Sequence, residues 1–343
     1  MAGNSIGQQL VLTTFGESHG TAVGGVLDGF PSGIDIDSGF IQSELDRRKP
    51  GRDSYSSPRQ ESDTIELLSG IFDGRSTGAP IAFMIRNKDA RPEDYAEIKD
   101  IYRPSHADYT WQQKYGIRDY RGGGRSSARE TAVRVAAGAF AKLLLDRHRI
   151  TIKARIDSIG PFSFKDHPAG LDDPLVWSFL DQVRIDGDTA GGTILTVVSG
   201  VPAGLGDPLY DKLSADLAKS MFTINAVRGF ELGSGFAAAS MKGSEHNDPF
   251  EVMDGKIITS SNHSGGIQGG ISNGMEIIFR VAFKPVSTLM KEQKSINTKG
   301  ETVVFSGKGR HDACIVPRAL PVVEAMTALT IADHLLRSGR FSR

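Results

Sequence analysis

The sequence predicts an α+β fold made of two diverged copies of one unit, paired about a pseudo-twofold axis. Residues 16–33 lie over 187–204 without a gap, matching Gly16, Gly20, Val26, Gly29, Pro31 and Gly33 with Gly187, Gly191, Val197, Gly200, Pro202 and Gly204. A second block, 70–88 over 266–284, matches Gly70, Ile71, Gly74, Ser76, Gly78, Ile81, Phe83 and Lys88 with Gly266, Ile267, Gly270, Ser272, Gly274, Ile277, Phe279 and Lys284. A weaker third match sets the apolar stretch 126–145 over 317–336, in preserved order. A period of about half the chain is too long for a solenoid. Strand-like and helix-like segments do not alternate in the sustained way that builds a doubly wound parallel sheet.

The elements follow in order. The stretch 21–31 is glycine-rich and β-branched and ends in a turn, so it reads as a strand, as does its counterpart 192–202. The first helix is placed at Ser38–Arg48 and the second at 127–148, with Ser126 or Ser127 as its N-cap. Ala132, Val135, Ala136, Ala139, Phe140, Leu143 and Leu144 recur on one face of that second helix, and their small size implies close packing in a buried helical layer. Further helices are expected at 208–222 and 317–337. The halves, roughly 1–160 and 175–343, meet in a polar, Pro-containing stretch at 160–175, and 241–251 reads as an exposed loop. No Pro-rich or Ser-rich linker divides the chain, so residues 1–343 are read as a single domain.

Composition narrows the function. The 343 residues are 39% hydrophobic and 24% charged, which is globular rather than disordered composition. Forty Lys and Arg against 41 Asp and Glu give a net charge of -1, so no long-range field draws in nucleic acid or an anionic membrane. The single cysteine, Cys314, forms no internal disulfide and no multi-thiolate zinc site, which fits a reducing compartment. With no signal-like start and no 18-residue apolar run, the chain is expected to be soluble and cytoplasmic, with no metal, membrane or nucleic-acid partner.

The strongest local signal is Arg121-Gly122-Gly123-Gly124-Arg125-Ser126-Ser127-Ala128-Arg129, a glycine turn feeding a helix start. Free backbone N–H groups at such a start favour an anion. Residues 114–134 carry six Lys and Arg against Asp119 and Glu130, a balance of +4, and 47–59 repeat that balance with Arg47, Arg48, Lys49, Arg52 and Arg59 against Asp53. A bare charge cluster is more often a solvated face. Glycines have no use on such a face, so the pair of clusters points to a ligand with several anionic groups, which arginine recognises bidentately. The Gly16-Glu17-Ser18-His19-Gly20 segment fits the hydrolase nucleophile elbow, but a strand rather than a helix follows it. Its repeat partner replaces Ser18-His19 with Thr189-Ala190, so the fold does not require His19. His106, in Arg103-Pro104-Ser105-His106-Ala107-Asp108, stands in a turn between charged stretches.

These residues resemble the chorismate synthase family essentially from end to end. The resemblance is carried by Gly16-Glu17-Ser18-His19-Gly20 through Asp28-Gly29-Phe30-Pro31, by Gly124-Arg125-Ser126-Ser127-Ala128-Arg129-Glu130-Thr131, and by Arg310-His311-Asp312-Ala313-Cys314 through Glu324-Ala325-Met326. It implies a sandwich with a helical layer between antiparallel sheets, usually assembled as a homotetramer. The implied reaction is a 1,4-anti elimination of phosphate from 5-enolpyruvylshikimate 3-phosphate, requiring reduced FMN from an external reductant, in a metabolic setting linked to NADP. By the same resemblance, His19 protonates the leaving phosphate, His106 protonates the flavin and Asp333 supports the flavin nitrogen that takes the ring hydrogen. Implied flavin contacts are Arg125, Ser126, Ser127, Asn225, Ala226, Gly269, the run Lys284-Pro285-Val286-Ser287-Thr288, and Arg310. Implied substrate contacts are Arg48, Arg129 and Arg52, the last standing two positions before Ser54, where many bacterial members carry a second arginine. The competing readings are a serine hydrolase acting through Ser18 and a non-catalytic flavin- or RNA-binding protein.

Overall fold

The computed structural model describes residues 3–49, 62–88, 92–307 and 312–339. The first half runs β1 (Ser5–Ile6), β2 (Val11–Gly16), β3 (Ala22–Asp28), α1 (Ser38–Arg48), β4 (Ile65–Leu67), the hairpin β5 (Ile71–Phe72) and β6 (Arg75–Ser76), β7 (Ile81–Arg86), α2 (Asp108–Tyr115) and α3 (Thr131–Asp146). The second runs β8 (Thr151–Ile159), β9 (Phe162–Ser163), α4 (Pro174–Ile185), β10 (Gly192–Ser199), α5 (Leu213–Phe222), β11 (Val227–Leu232) and α6 (Gly243–His246). It continues with the hairpin β12 (Phe250–Met253) and β13 (Lys256–Thr259), the hairpin β14 (Ile267–Gln268) and β15 (Ile271–Ser272), β16 (Ile277–Phe283), the hairpin β17 (Glu292–Ile296) and β18 (Thr302–Ser306), and α7 (Val316–Arg337). The molecule is α+β.

Two five-stranded antiparallel sheets have orders β1-β2-β3-β7-β4 and β9-β8-β10-β16-β11. Val26 on β3 faces Ala82 on β7, and the aligned positions Val197 and Ile278 face each other on β10 and β16. Local hydrogen bonds repeat as well. Ser76 Oγ donates to the Pro31 carbonyl and Ser272 Oγ to the Pro202 carbonyl, each at 2.6 Å. The same two hydroxyls accept from Ile34 N and Leu205 N, each at 2.9 Å.

On β16, Ile277, Phe279, Val281 and Phe283 are buried while the residues between them are half-buried, the period-two pattern of a strand with one covered face. Helix α3 packs on β3 and β7, α7 packs on β8 and β10, and the two helices pack on each other. Their approach is close because Gly138 has no side chain: a Cβ there would lie 2.3 Å from Ala325 Cβ. Helix α7 has the length and apolar composition of a membrane span, yet it is almost wholly buried against these neighbours.

Helix α1 spans the expected residues, capped by Asp37, whose carboxylate accepts from Phe40 N at 2.9 Å. Helix α3 starts four residues late. Ser127 does cap, but it caps a single 3-10 turn over 128–130 that precedes the α-helix. Helix α4, which the sequence reading did not place, follows the polar 160–175 stretch, with Asp173 as its N-cap and Pro174 at its first position. The segment 241–251 holds the short α6 and the start of β12.

Candidate active site

A cleft of about 420 Å³ opens where the end of α1, the 103–107 segment, the 123–129 turn, the 225–228 and 284–288 segments and the start of α7 converge. The glycine turn is built for close approach. Gly122 has φ +78°, and a Cβ on it would lie 2.4 Å from His19 Cε1. Six cationic side chains line the cleft: Arg48, Arg103, Arg129, Arg228, Lys284 and Arg318. Among the described residues Asp312 is the one carboxylate on its wall, and Arg318 Nη1 donates to it at 2.5 Å.

Two of these arginines are fixed from behind. Asp63, wholly buried, receives Arg48 Nη2 at 2.5 Å and Arg129 Nη1. Burial alone would raise the Asp63 carboxyl, but the two guanidinium groups outweigh it and hold the pKa at about 2. Arg129 Nε also donates to Asn87 Oδ1 at 2.9 Å. Arg48 Nε is buried and among the described residues has no partner. Burial pushes the Arg48 pKa down, with Arg318 and Arg129 adding to the effect against Asp63. Burial, with Arg228, likewise lowers Lys284. Among the described residues the positive charge lining the cleft exceeds the negative, which favours an anionic ligand.

His106 faces the cleft with its Nδ1 3.0 Å from Asp108 Oδ1. Asp108 is buried and also accepts from Arg103 Nε and Nη2, both at 2.7 Å, with Arg118 Nη1 at 2.8 Å. Burial would raise its carboxyl, but hydrogen bonds from Arg103 and His106 hold it well below the usual carboxylate range. An ionised carboxylate only accepts, so Nδ1 carries the proton and Nε2 is the ring nitrogen left for the cleft.

Ser126, Ser127, Asn225, Ala226, Lys284, Val286, Ser287 and Thr288 join Arg48, His106 and Arg129 on the wall. Ser287 Oγ donates to the Ser105 carbonyl at 2.9 Å and receives Lys284 Nζ at 2.7 Å, tying the 284–288 segment to the histidine loop. Asn225 Nδ2 donates to the Ser126 carbonyl at 2.8 Å, while its buried Oδ1 has no partner. His19 stands one layer back. Its ring meets Tyr95 edge-on at 5.0 Å, Ser18 Oγ lies 3.0 Å from its Nδ1, and Tyr95 itself lines the cleft.

Other expected contacts fall elsewhere. Arg125 turns away, bonding Thr14 Oγ1 at 2.6 Å, Glu130 Oε2 at 2.8 Å and the Gly16 carbonyl at 3.2 Å. Gly269 sits in the β14–β15 turn, and neither it nor Pro285 lines the cleft. Asp333 is a correction: its Oδ1 accepts from the backbone N–H groups of Gln8, Gln9 and Leu10 at 3.0, 2.7 and 2.8 Å. That carboxylate fastens the amino-terminal segment to α7 and borders a different, smaller cavity. Arg52 and Arg310 lie outside the described residues.

The sequence reading missed Tyr95, Arg103, Arg228, Asp312 and Arg318 as wall residues. Arg103 and Asp312 were within its motifs, whereas Arg228 stands alone in a strand-like stretch and carried no local signal. The serine-hydrolase reading fails on geometry, since Ser18 is buried in a turn between two strands, β2 and β3, where the elbow requires a helix to follow.

An α+β scaffold holding a cationic cleft, an oriented histidine and one carboxylate defines an enzyme for small, multiply anionic substrates. The chorismate synthase family model matches residues 10–336. Chorismate synthases of Cytophaga hutchinsonii and Christiangramia forsetii are each 54% identical to this chain, covering 98% of it and 98% and 99% of their own lengths. A crystal structure of chorismate synthase superimposes with a TM-score of 0.77 at 31% identity, covering 97% of this chain and 93% of that one. The chain belongs to the chorismate synthase family.

Proposed function

We propose that this cleft carries out the family's elimination, in which 5-enolpyruvylshikimate 3-phosphate loses phosphate and a ring C6 hydrogen to give chorismate. The chain is a lyase of the chorismate synthase type. The observation that carries the reading is the cationic wall, six Arg and Lys side chains against Asp312 among the described residues: a substrate with two carboxylates and one phosphate supplies the complementary negative charge.

Arg48 and Arg129, locked by Asp63, are placed to hold the substrate anions and to stabilise charge on the departing phosphate. The residues present fit reduced FMN. Lys284, Ser126 and Ser127 offer donors, and the orphaned Asn225 Oδ1 offers an acceptor for a flavin imide N–H. Bound reduced FMN supplies electron density that assists phosphate departure. His106 presents Nε2 as the acid–base group of the wall. We assign the aspartate role to Asp312, the carboxylate in the cleft, in place of Asp333. His19, one layer behind the cleft wall against Tyr95, is the second candidate acid, for a proton delivered to the leaving phosphate.

Residues 1–343 are read as one duplicated domain with its helices between the two sheets, supported by the shared strand order, aligned register and repeated serine bonds. A homotetramer is supported by the exposed Phe236, Phe250, Val252 and Ile257 around the β12–β13 hairpin. A cytoplasmic setting with an external, NADP-linked source of reduced flavin rests on the resemblance. The test is anaerobic phosphate release from 5-enolpyruvylshikimate 3-phosphate with FMN and dithionite, beside a sample lacking reductant. Phosphate and chorismate appear only with reductant; release in neither sample from folded protein overturns the reading.

A further inference from the structure

On the other side of the glycine turn lies a second cavity, of about 260 Å³, that shares no lining residue with the cleft. Its floor is the buried pair Leu12 and Met326, and one wall is formed by Trp111 and Tyr115 of α2, whose rings pack at 4.6 Å. Its polar end is Glu130, a residue only 4% exposed. Glu130 Oε2 takes the bond from Arg125, but Oε1 is buried and among the described residues has no partner. An orphaned buried carboxylate oxygen is costly, on the order of 1–3 kcal/mol or more, and calls for an occupant that donates to it.

One turn along α3, Arg134 faces the same cavity. Its Nη1 donates to the Thr223 carbonyl at 2.7 Å and to Thr223 Oγ1 at 3.1 Å, but among the described residues no carboxylate pairs with it. Burial raises the Glu130 carboxyl against the opposing pull of the Thr14 hydroxyl, Arg125 and Arg134, and lowers the Arg134 guanidinium against that of Glu130. Among the described residues the cavity therefore offers an unfilled acceptor, a cation with no carboxylate at ion-pair distance and an aromatic wall.

We propose that this cavity binds an aromatic α-amino acid. Its ammonium group donates to Glu130 Oε1, its carboxylate pairs with Arg134, and its ring packs on Trp111 and Tyr115. A simple cation would leave Arg134 unpaired, and an inorganic anion would meet the Glu130 carboxylate. An aliphatic zwitterion would leave the aromatic wall uncovered. The site adjoins the histidine loop, since α2 begins at Asp108 and carries both rings.

The protein has two tryptophans, Trp111 and Trp177, so Trp177→Phe makes Trp111 the sole indole. L-phenylalanine, which is dark where tryptophan emits, is titrated into that protein, with calorimetry on the unaltered chain for stoichiometry. We expect a saturable change in Trp111 emission and one site per chain. Glycine and phenylacetate, each lacking one recognised feature, bind at least about 10-fold more weakly. Arg134→Gln and the rim substitution Tyr115→Ala each weaken L-phenylalanine about 10-fold or more, while phosphate elimination in the cleft proceeds as before. No saturable response up to the solubility of L-phenylalanine overturns the proposal. So does binding that folded Arg134→Gln and Tyr115→Ala proteins retain unchanged.

Discussion

Asp108 Oδ1 lies 3.0 Å from His106 Nδ1, and the same carboxylate is gripped by Arg103 and Arg118. Those two arginines keep Asp108 ionised, and the ionised group dictates which nitrogen of His106 carries the proton. Asp108→Asn presents an amide that can donate to Nδ1 and select the other tautomer. We expect turnover to fall about 10²-fold with the fold retained, and His106→Ala to fall by at least as much. The double substitution should cost little more than either alone, because the two residues act as a unit. Anaerobic steady-state rates, with circular dichroism as the fold control, check this; additive losses would refute the coupling.

One aspartate precedes α7 and another stands in its last turns, and their partners differ. Asp312 is on the cleft wall with Arg318, and Asp333 is a cap for three backbone N–H groups near the amino terminus. Asp312→Asn should depress turnover strongly and leave the melting temperature nearly unchanged. Asp333→Asn should do the reverse, costing about 1–3 kcal/mol of stability at near-normal turnover. Thermal melts and rates measured on both variants decide it, and a catalytic collapse in folded Asp333→Asn would restore the sequence-based assignment.

That exchange shows where sequence reasoning reached and where it stopped. The matching turns were legible because glycine, proline and serine at turns are fixed by backbone geometry, and Ser76 and Ser272, at aligned positions, make the same bonds. Helix α1 was legible to the residue because Asp37 caps it and Lys49-Pro50 ends it. Arg48 and Arg129 fell within the two charge clusters but were singled out only by the family resemblance, since the clusters also counted Arg118, which belongs to Asp108, and Arg121, which pairs with exposed Asp119. Arg228 and Arg318 come from distant segments and are united only by folding. No local pattern announces such a convergence.

The buried Asp63 makes stability depend on acid. Its folded pKa of about 2 lies below the ordinary 3.8, so its contribution is present above about pH 4 and is lost as pH falls toward 2. The depression corresponds to about 2 kcal/mol. Urea unfolding at about pH 5 and about pH 3 should show part of that loss. Asp63→Asn should lower stability at pH 5 by about 3–5 kcal/mol, since Arg48 and Arg129 are left as buried, uncompensated charges, and should flatten the acid dependence. An unaltered slope between those pH values would refute the assignment.

Gly138 sets the spacing of α3 and α7, and through them the position of the arginines at the start of each helix. A Cβ at Gly138 would fall 2.3 Å from Ala325 Cβ and 2.4 Å from Ala325 Cα, and neither atom belongs to a flexible side chain that can swing away. On an exposed helix the exchange of glycine for alanine would stabilise by up to about 1 kcal/mol through propensity. Here overpacking should win, and Gly138→Ala should destabilise by about 1–3 kcal/mol. Ala325→Gly removes the atom met by the new methyl group but leaves the clash with the main chain of α7. The double substitution should therefore recover part of the loss, a non-additivity that measures how far the two side chains interfere. Forcing α3 away from α7 also displaces Arg129, just before α3, relative to Arg318, on the first turn of α7, so the single variant should weaken substrate binding as well as stability. Chemical unfolding of the three variants, with KM measured in parallel, checks both; a stable Gly138→Ala protein with normal KM would mean that the helices can separate without consequence for the cleft.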